Sequence, residues 1–433
     1  MSTVESPAIS RSRIVAWALW DCGATGVNAV VITFVFSVYL TGPVGAGLPG
    51  ATTPASWLGR ALTFAGLFVA FLAPATGVWV DAPHRRRTAL AILTGVVIAL
   101  TAAMSLIKTD YHYLLPGLIL LACTAACSDL ATVPYNAVLS QISTPRNMGR
   151  ISGIGSASGF FGSVLLLLIL YVGFIGGDGD TRGAFGLAAA DGQNVRVAMV
   201  VAAAWLAVFA GPLLALVRAP AAVDPRPAAG LGSAYRALWR EVKSEWRRDH
   251  HVVYYLLASA VFRDGLTGIF AFGAVLGVSV YGVSQADVLI FGVCVSIVAA
   301  IGAVVGGLLA DRVGPKPVIT GSLTIMIAIG VALLSASGPQ AFWICGLLLC
   351  LFVGPILASA RALMLRMSAQ GKEGVAFGLY TTTGRAASFL APWMFFTFVD
   401  LFGADRAGMG GLCAVLAAGL LAMIAVRVPR TAI

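Results

Sequence analysis

Six ionisable residues stand where an apolar chain should hold none: Asp21, Asp129, Arg263, Asp264, Arg361 and Arg385. Each lies inside a run of apolar residues long enough to cross a bilayer, as Asp21 does in "AWALWDCGATGVNAVVITFVFSVYL" at 16–40. A charge at the centre of a membrane helix costs ~2.5–3.5 kcal/mol even on the lenient insertion scale, so each must face a partner, a substrate or water. Carboxylates whose burial changes can take up and release protons. Guanidinium groups can grip a carboxylate or phosphate with a two-pronged fork. Equal numbers of each sign also permit static pairing that holds helices in register. Asp21 and Asp129 are the candidates for proton coupling, since neither has a basic neighbour in its own run, whereas Asp264 adjoins Arg263.

Uncharged candidates accompany them. Asn28 follows Asp21 by seven residues, on nearly the same helical face. Tyr135 and Asn136 follow Pro134, whose missing amide frees a carbonyl for ligand contact. Tyr380 opens a polar patch continued by Thr381, Thr382 and Thr383, residue types that more often bond their own backbone or a neighbouring helix. At ~1.5 Å of rise per residue, Asp21 and Arg361 lie ~9–10 Å from the ends of their runs and the other four charges ~17–20 Å. All six can therefore border one cavity.

The elements that must position these groups are membrane helices. The chain has 433 residues, of which 59% are hydrophobic and 11% charged, with a mean hydropathy of +0.92. A soluble domain could not cover so much apolar surface with so few charges. Twelve runs meet the ~20-residue requirement for a span, near 14–40, 57–80, 88–107, 112–140, 151–175, 196–217, 251–281, 287–310, 316–336, 340–367, 374–400 and 404–427. The first is too long for a signal-peptide core and reads as the first span. Glycine within the runs, as in "GSASGFFGS" at 155–163, suits a packed bundle. Cys123 and Cys127 share a helix face, but no cluster around them makes a metal site, and packing is the reading.

The formal charge of +10 is a topology signal and not a nucleic-acid footprint. With the N-terminus inside, the cytoplasmic segments hold Arg11, Arg13, the "RRR" at 85–87, Arg146, Arg150, the basic residues of 218–248, Arg312, Lys316, Arg366, Lys372, Arg427 and Arg430. The opposite side holds only Arg60, Lys108, Arg182, Arg196 and Arg406. The positive-inside rule then places both termini in the cytoplasm. Residues 218–250 form a connector whose second part lines up Tyr235, Leu238, Trp239, Val242 and Trp246 on one helical face, an amphipathic helix lying on the inner membrane surface. Six spans precede it and six follow.

The two halves repeat one another. "GATG" at 23–26 matches "GLTG" at 265–268, and "SVY" at 37–39 matches "SVY" at 279–281 with the same offset. "GVWVDAPHRRR" at 77–87 faces "GLLADRVGPKP" at 307–317, with Gly77/Gly307 and Asp81/Asp311 in register. The glycines allow close packing near the inner surface, and the aspartates can accept from helix N-terminal amides or from the basic residues nearby. Gly77, Asp81, Arg85, Arg86, Gly307, Asp311, Arg312 and Lys316 are thus a candidate cytoplasmic latch between the halves. The alternative is that the basic residues only set topology.

The second loop, "GLLADRVGPK", resembles the loop signature of the major facilitator superfamily; the first is looser, with His84 where glycine is usual. Longer stretches are similar to the autophagy-related vacuolar effluxer-like branch and its bacterial relatives: "WALWDCGATGVNAVVITFVFSVYL" at 17–40, "VPYNAVLSQISTPRNMGRISGIG" at 133–155, "FRDGLTGIFAFG" at 262–273 and "GPILASARALMLRMSAQGKEGVAFGLYTTTGRAASFLAP" at 354–392. The resemblance implies two parallel-repeat halves around a central cavity lined by the first, fourth, seventh and tenth helices, working by alternating access. It also implies amino-acid efflux as the activity of the vacuolar members. The chain departs from that pattern where Cys22, Gly23 and Ala24 follow Asp21, and where Arg263 replaces the usual asparagine before Asp264.

The expectation is an all-α membrane protein with twelve transmembrane helices in two six-helix bundles, 1–217 and 251–433, joined by the linker 218–250. Its expected function is secondary transport, by efflux, of a small polar or zwitterionic solute such as an amino acid, with protons as the candidate coupling ion. A hydrophobic-drug or lipid exporter is the alternative within transport, and a non-transporting receptor or scaffold the alternative outside it. Enzyme chemistry lacks a nucleophile–base or metal set, because the four histidines fall in loops or at span ends. "GKEG" at 371–374 is not a phosphate-binding loop. No cofactor and no nucleic-acid partner are expected. The chain is placed in the inner cell membrane as a monomer in contact with lipid.

Overall fold

In lipid every backbone N–H and C=O must be satisfied within its own segment, so the apolar runs close into helices. The computed structural model describes residues 10–49, 54–177, 180–216, 236, 240, 243, 247, 250–283 and 285–428. Helix α1 (Arg11–Asn28) continues through wide π-type turns to Val44. It is followed by α2 (Pro54–Val80), α3 (Pro83–Ala103), α4 (Leu114–Ile142), α5 (Met148–Leu170) and α6 (Gln193–Leu216). The second half comprises α7 (His250–Ser279), α8 (Gln285–Val313), α9 (Pro315–Ser335), α10 (Pro339–Met367), α11 (Glu373–Ala386), α12 (Leu390–Phe402) and α13 (Ala407–Ala425). Among the described residues, 11 helices are long and apolar enough to span alone. Together α11 and α12 make the twelfth pass.

That pass reads in the sequence as one run, 374–400, yet it breaks at 387–389. Pro392 sits in the first turn of α12, where its missing amide costs nothing; farther along a continuous helix its ring would clash with the carbonyl of Ser388. The chain takes a turn there, with the Leu390 amide donating to the Ala387 carbonyl at 3.0 Å. Of the expected connector helix, Tyr235, Leu238, Trp239, Val242 and Trp246 lie outside the described residues; Arg236, Arg240, Lys243 and Arg247 are helical and exposed.

Each sequence match between the halves becomes a matched contact. The two "SVY" tyrosines are buried, and each reaches the far end of the third helix in its half: Tyr39 Oη donates to the Ile107 carbonyl at 3.1 Å, Tyr281 Oη to the Leu333 carbonyl at 2.6 Å. Gly23 packs α1 on Leu206 and Phe209 of α6, and Gly265 packs α7 on Val415 and Leu416 of α13. The departure at His84 also has a local cause. The second copy turns at Gly314, whose φ of +92° favours glycine, whereas the first turns at Asp81–Ala82 and places His84 inside α3.

The halves meet at the end that carries the basic loops, α2 against α11 and α5 against α8. Each contact brings a Gly-x-x-x-Gly face, Gly149/Gly153 of α5 or Gly374/Gly378 of α11, onto an Ala-x-x-x-Gly face, Ala303/Gly307 of α8 or Ala73/Gly77 of α2. A Cβ added at Gly77, Gly149 or Gly378 would stand 2.5–2.6 Å from a carbonyl oxygen of the facing helix. Backbones this close gain dispersion contacts that larger residues would forbid. The bundle is shut at this end.

Candidate functional site: cross-bundle charges and latch

Two charge clusters cross between the halves. In the first, Arg361 of α10 donates from Nη1 to Asp21 Oδ2 of α1 at 3.4 Å, and from Nη2 to the Ser152 carbonyl of α5 at 2.8 Å and to Ser156 Oγ. Thr25 Oγ1 donates to Asp21 Oδ1 at 3.1 Å from one turn along. An aromatic wall backs the pair. Tyr135 of α4 stacks on Trp17 with centroids 4.5 Å apart and on Trp20 at 4.3 Å, and the Arg361 guanidinium lies 5.5 Å from the Trp17 ring. Trp17 Nε1 donates to the Tyr135 carbonyl at 3.0 Å and Trp20 Nε1 to Thr94 Oγ1 at 3.1 Å, which fixes both indoles. Side-chain exposures of 13% for Arg361 and 16% for Asp21 leave the pair close to dry.

In the second cluster Arg385 of α11 forms an ion pair with Asp129 of α4. Arg263 of α7 stands near Asp129 without pairing with it. Its Nη1 donates to the Tyr380 carbonyl at 3.0 Å, and its Cζ lies 3.9 Å from the centre of the Tyr380 ring. The Arg385 side chain is 38% exposed and that of Asp129 20%, so this cluster is the wetter of the two.

Asp264 joins neither cluster. It is buried at 5% exposure, and its Oδ2 accepts from the Ala391 amide at 2.5 Å. That amide is one of the orphan donors at the start of α12, so Asp264 caps the broken helix from α7.

The basic-loop end is held by cross-half capping. Asp81 Oδ1 accepts from the Val375 amide at 3.0 Å, in the first turn of α11. Asp311 accepts from the Gly149 amide at 2.7 Å and the Arg150 amide at 2.9 Å, in the first turn of α5. Both aspartates thus sit at the positive end of a helix from the other half. Burial pushes Asp81 up to about 6, outweighing the Val375 amide, Lys372 and Arg86. Arg86 is buried and donates to the Val80 and Ala137 carbonyls at 3.0 Å each, to Ser140 Oγ at 3.1 Å and to Glu373 Oε2 at 2.8 Å. Lys316, its counterpart in the repeat, points elsewhere: Nζ donates to the Ile424 and Val426 carbonyls and pins the end of α13 within its own half. Arg85 is half-buried and Arg312 exposed.

Asp21, Tyr135 and Arg361 are thus brought together, as are Asp129, Arg263, Tyr380 and Arg385. Asn28 Oδ1 and Asn136 Oδ1 are buried without a hydrogen-bond partner among the described residues. Sequence reasoning missed Trp17, Ser152, Ser156, Glu373 and the glycines Gly149, Gly153, Gly374 and Gly378. The glycines carried a signal: "GRISG" and "GVAFG" recur at equivalent places in the two halves. Glu373 and the serines carried none, because their role depends on which helix faces them.

The helix order in two halves that meet at one end is that of the major facilitator fold. The solved structure of the proton:xylose symporter XylE is similar over 94% of this chain and 93% of its own, with TM-score 0.70 and 14% identity. That of FucP in the outward conformation is similar over 96% and 99%, with TM-score 0.68 and 16% identity. At these identities the likeness concerns the fold. The family profile described as "Vacuole effluxer Atg22 like" matches residues 56–432, and the chain belongs to that family. The uncharacterized MFS-type transporter YxiO of Bacillus subtilis (strain 168) is 22% identical over 94% of this chain and 92% of that protein. Autophagy-related protein 22 of Cryptococcus neoformans var. neoformans serotype D is 24% identical over 74% of this chain, which spans 59% of that protein's length. The chain is therefore a multi-pass membrane transporter of small molecules and not an enzyme.

Proposed function

We propose that the chain exports a small polar or zwitterionic solute, amino acids among the candidates, by alternating access across the inner cell membrane, with the basic-loop end in the cytoplasm. The observation that carries this reading is the pair of cross-half ion pairs, Asp21–Arg361 and Asp129–Arg385, each joining helices of opposite halves. A receptor or scaffold gains nothing from placing charges where two bundles must part. A transporter does, because ligands or protons can compete for such pairs, and rocking of the halves exposes them alternately. Proton coupling through Asp21 and Asp129 belongs to the same reading: separation from its arginine frees a carboxylate to take a proton.

The test is counterflow in proteoliposomes, with unlabelled amino acids, dipeptides, sugars or organic acids inside and the labelled form outside. Wild type should accumulate at least one label. Asp129→Asn and Arg385→Gln should each lower the rate by tenfold or more while the protein remains monodisperse. Unchanged flux in both variants would remove the second cluster from the reading.

A further inference from the structure

The sequence supplies three guanidinium groups and three carboxylates to the middle of the bundle, but the structure does not match them one to one. Asp21 takes Arg361 and Asp129 takes Arg385. Asp264 should be the natural partner of its neighbour Arg263, yet successive helical residues point ~100° apart, and its carboxylate is spent on the Ala391 amide. Arg263 forms no ion pair among the described residues. Its guanidinium lies against the Tyr380 ring and uses Nη1 on the Tyr380 carbonyl. Gly384 faces it from α11, where a Cβ would come within 3.0 Å of Nη1 and 3.2 Å of both Cζ and Nη2, so that the guanidinium has room only because this residue lacks a side chain.

A guanidinium held over an aromatic ring with Nη1 on a carbonyl has further N–H donors, on Nη2 and Nε, that make no hydrogen bond among the described residues, and donors of this kind suit a carboxylate. Charge points the same way. The cluster of Asp129, Arg263 and Arg385 carries one positive charge in excess, and an uncompensated charge is expensive to enclose. One carboxylate from a solute makes the cluster neutral; a doubly charged phosphate monoester would overshoot.

We infer that Arg263 is the anchor for a carboxylate on the transported solute, which makes the substrate class a small monocarboxylate. This rests on the transport reading above and narrows it. Tyr380 holds the guanidinium through its ring and its carbonyl, and the missing side chain of Gly384 leaves the guanidinium its place. Loading neutralises the cluster and lowers the cost of closing the halves over it.

The experiment uses the full chain in detergent and matched probes: L-lactate, acetate and L-alanine against L-lactamide, acetamide and L-alaninamide, read by thermal shift and calorimetry. At least one carboxylate should bind wild type at least tenfold more tightly than its amide. Arg263→Gln should erase that preference while the unliganded melting temperature stays near wild type. Gly384→Leu keeps the arginine but displaces its guanidinium, and should weaken the carboxylate by a similar factor. Equal binding of amide and acid, a preference surviving Arg263→Gln, or no response to any carboxylate would each overturn the inference. Proteoliposome flux on the same preparations separates the two readings. Carboxylate binding without flux leaves the Arg263 site standing and sinks the export reading, and flux of an uncharged solute without carboxylate binding does the reverse.

Discussion

Asp21 and Arg361 sit opposite each other as a nearly dry pair from different halves, and each also has a neutral partner, Thr25 for the acid and Ser152 and Ser156 for the base. Removing one charge leaves the other desolvated. Asp21→Asn is therefore expected to destabilise the closed bundle by ~3–5 kcal/mol, and the double variant Asp21→Asn/Arg361→Gln by less than the sum of the singles. Melting curves for the four proteins of this cycle measure the coupling, and strict additivity would show that the pair is not energetically joined. The Trp17–Tyr135–Trp20 stack explains why the acid can be tolerated beside aromatics: the rings exclude water while the two indole N–H groups are used on the Tyr135 carbonyl and Thr94.

At the scale of elements, the molecule repeatedly uses a carboxylate of one helix to finish another. Asp264 finishes α12, whose start is set beside Pro392. Asp264→Ala should cost ~1–2 kcal/mol as a lost cap. The added change Pro392→Ala, which allows α11 to run on into α12, should recover part of that cost; no recovery in the melting temperature would separate the cap from the break. The latch aspartates finish α11 and α5 from across the bundle. Asp81 is raised to about 6 with the latch closed, while a solvated aspartate titrates near ~3.9. Between those values the closed state holds the extra proton, so closure gains stability as pH falls from about 6 towards about 4 and has lost that gain above about 6. Spin-label distances across the basic-loop end should shift towards the closed population from pH 7 to pH 5, and Asp81→Asn should abolish the shift.

For the whole molecule, twelve passes require both termini on one side, and the proposed orientation, with the basic loops in the cytoplasm, makes that side the inner one. Tags at the two ends should both be protected in intact cells and both digested in inverted vesicles; opposite accessibility would break the twelve-pass count. The halves meet at this end through glycine faces with no room for a side chain. Gly153→Leu, which would drive a side chain into the Ala303 backbone, should hold the end open and lower flux at least tenfold. Spin-label distances would report the opening directly, and a closed end in that variant would show that the glycine contact is dispensable.

The sequence alone determined the apolar passes, the uneven spread of basic residues between loops, the internal repeat and the set of buried charges, because each follows from local chemistry. Apolar length selects a span, basic loops select a side, and a charge in lipid announces itself. The partners were not legible there. Asp21 faces Arg361 from the other half; Asp264 ignores the arginine beside it for an amide of α12; Lys316 serves α13 while its counterpart Arg86 crosses to Glu373. Pairing of this kind is decided by which helix faces come together and which backbone groups are left unsatisfied when they do, and those are properties of the assembled bundle.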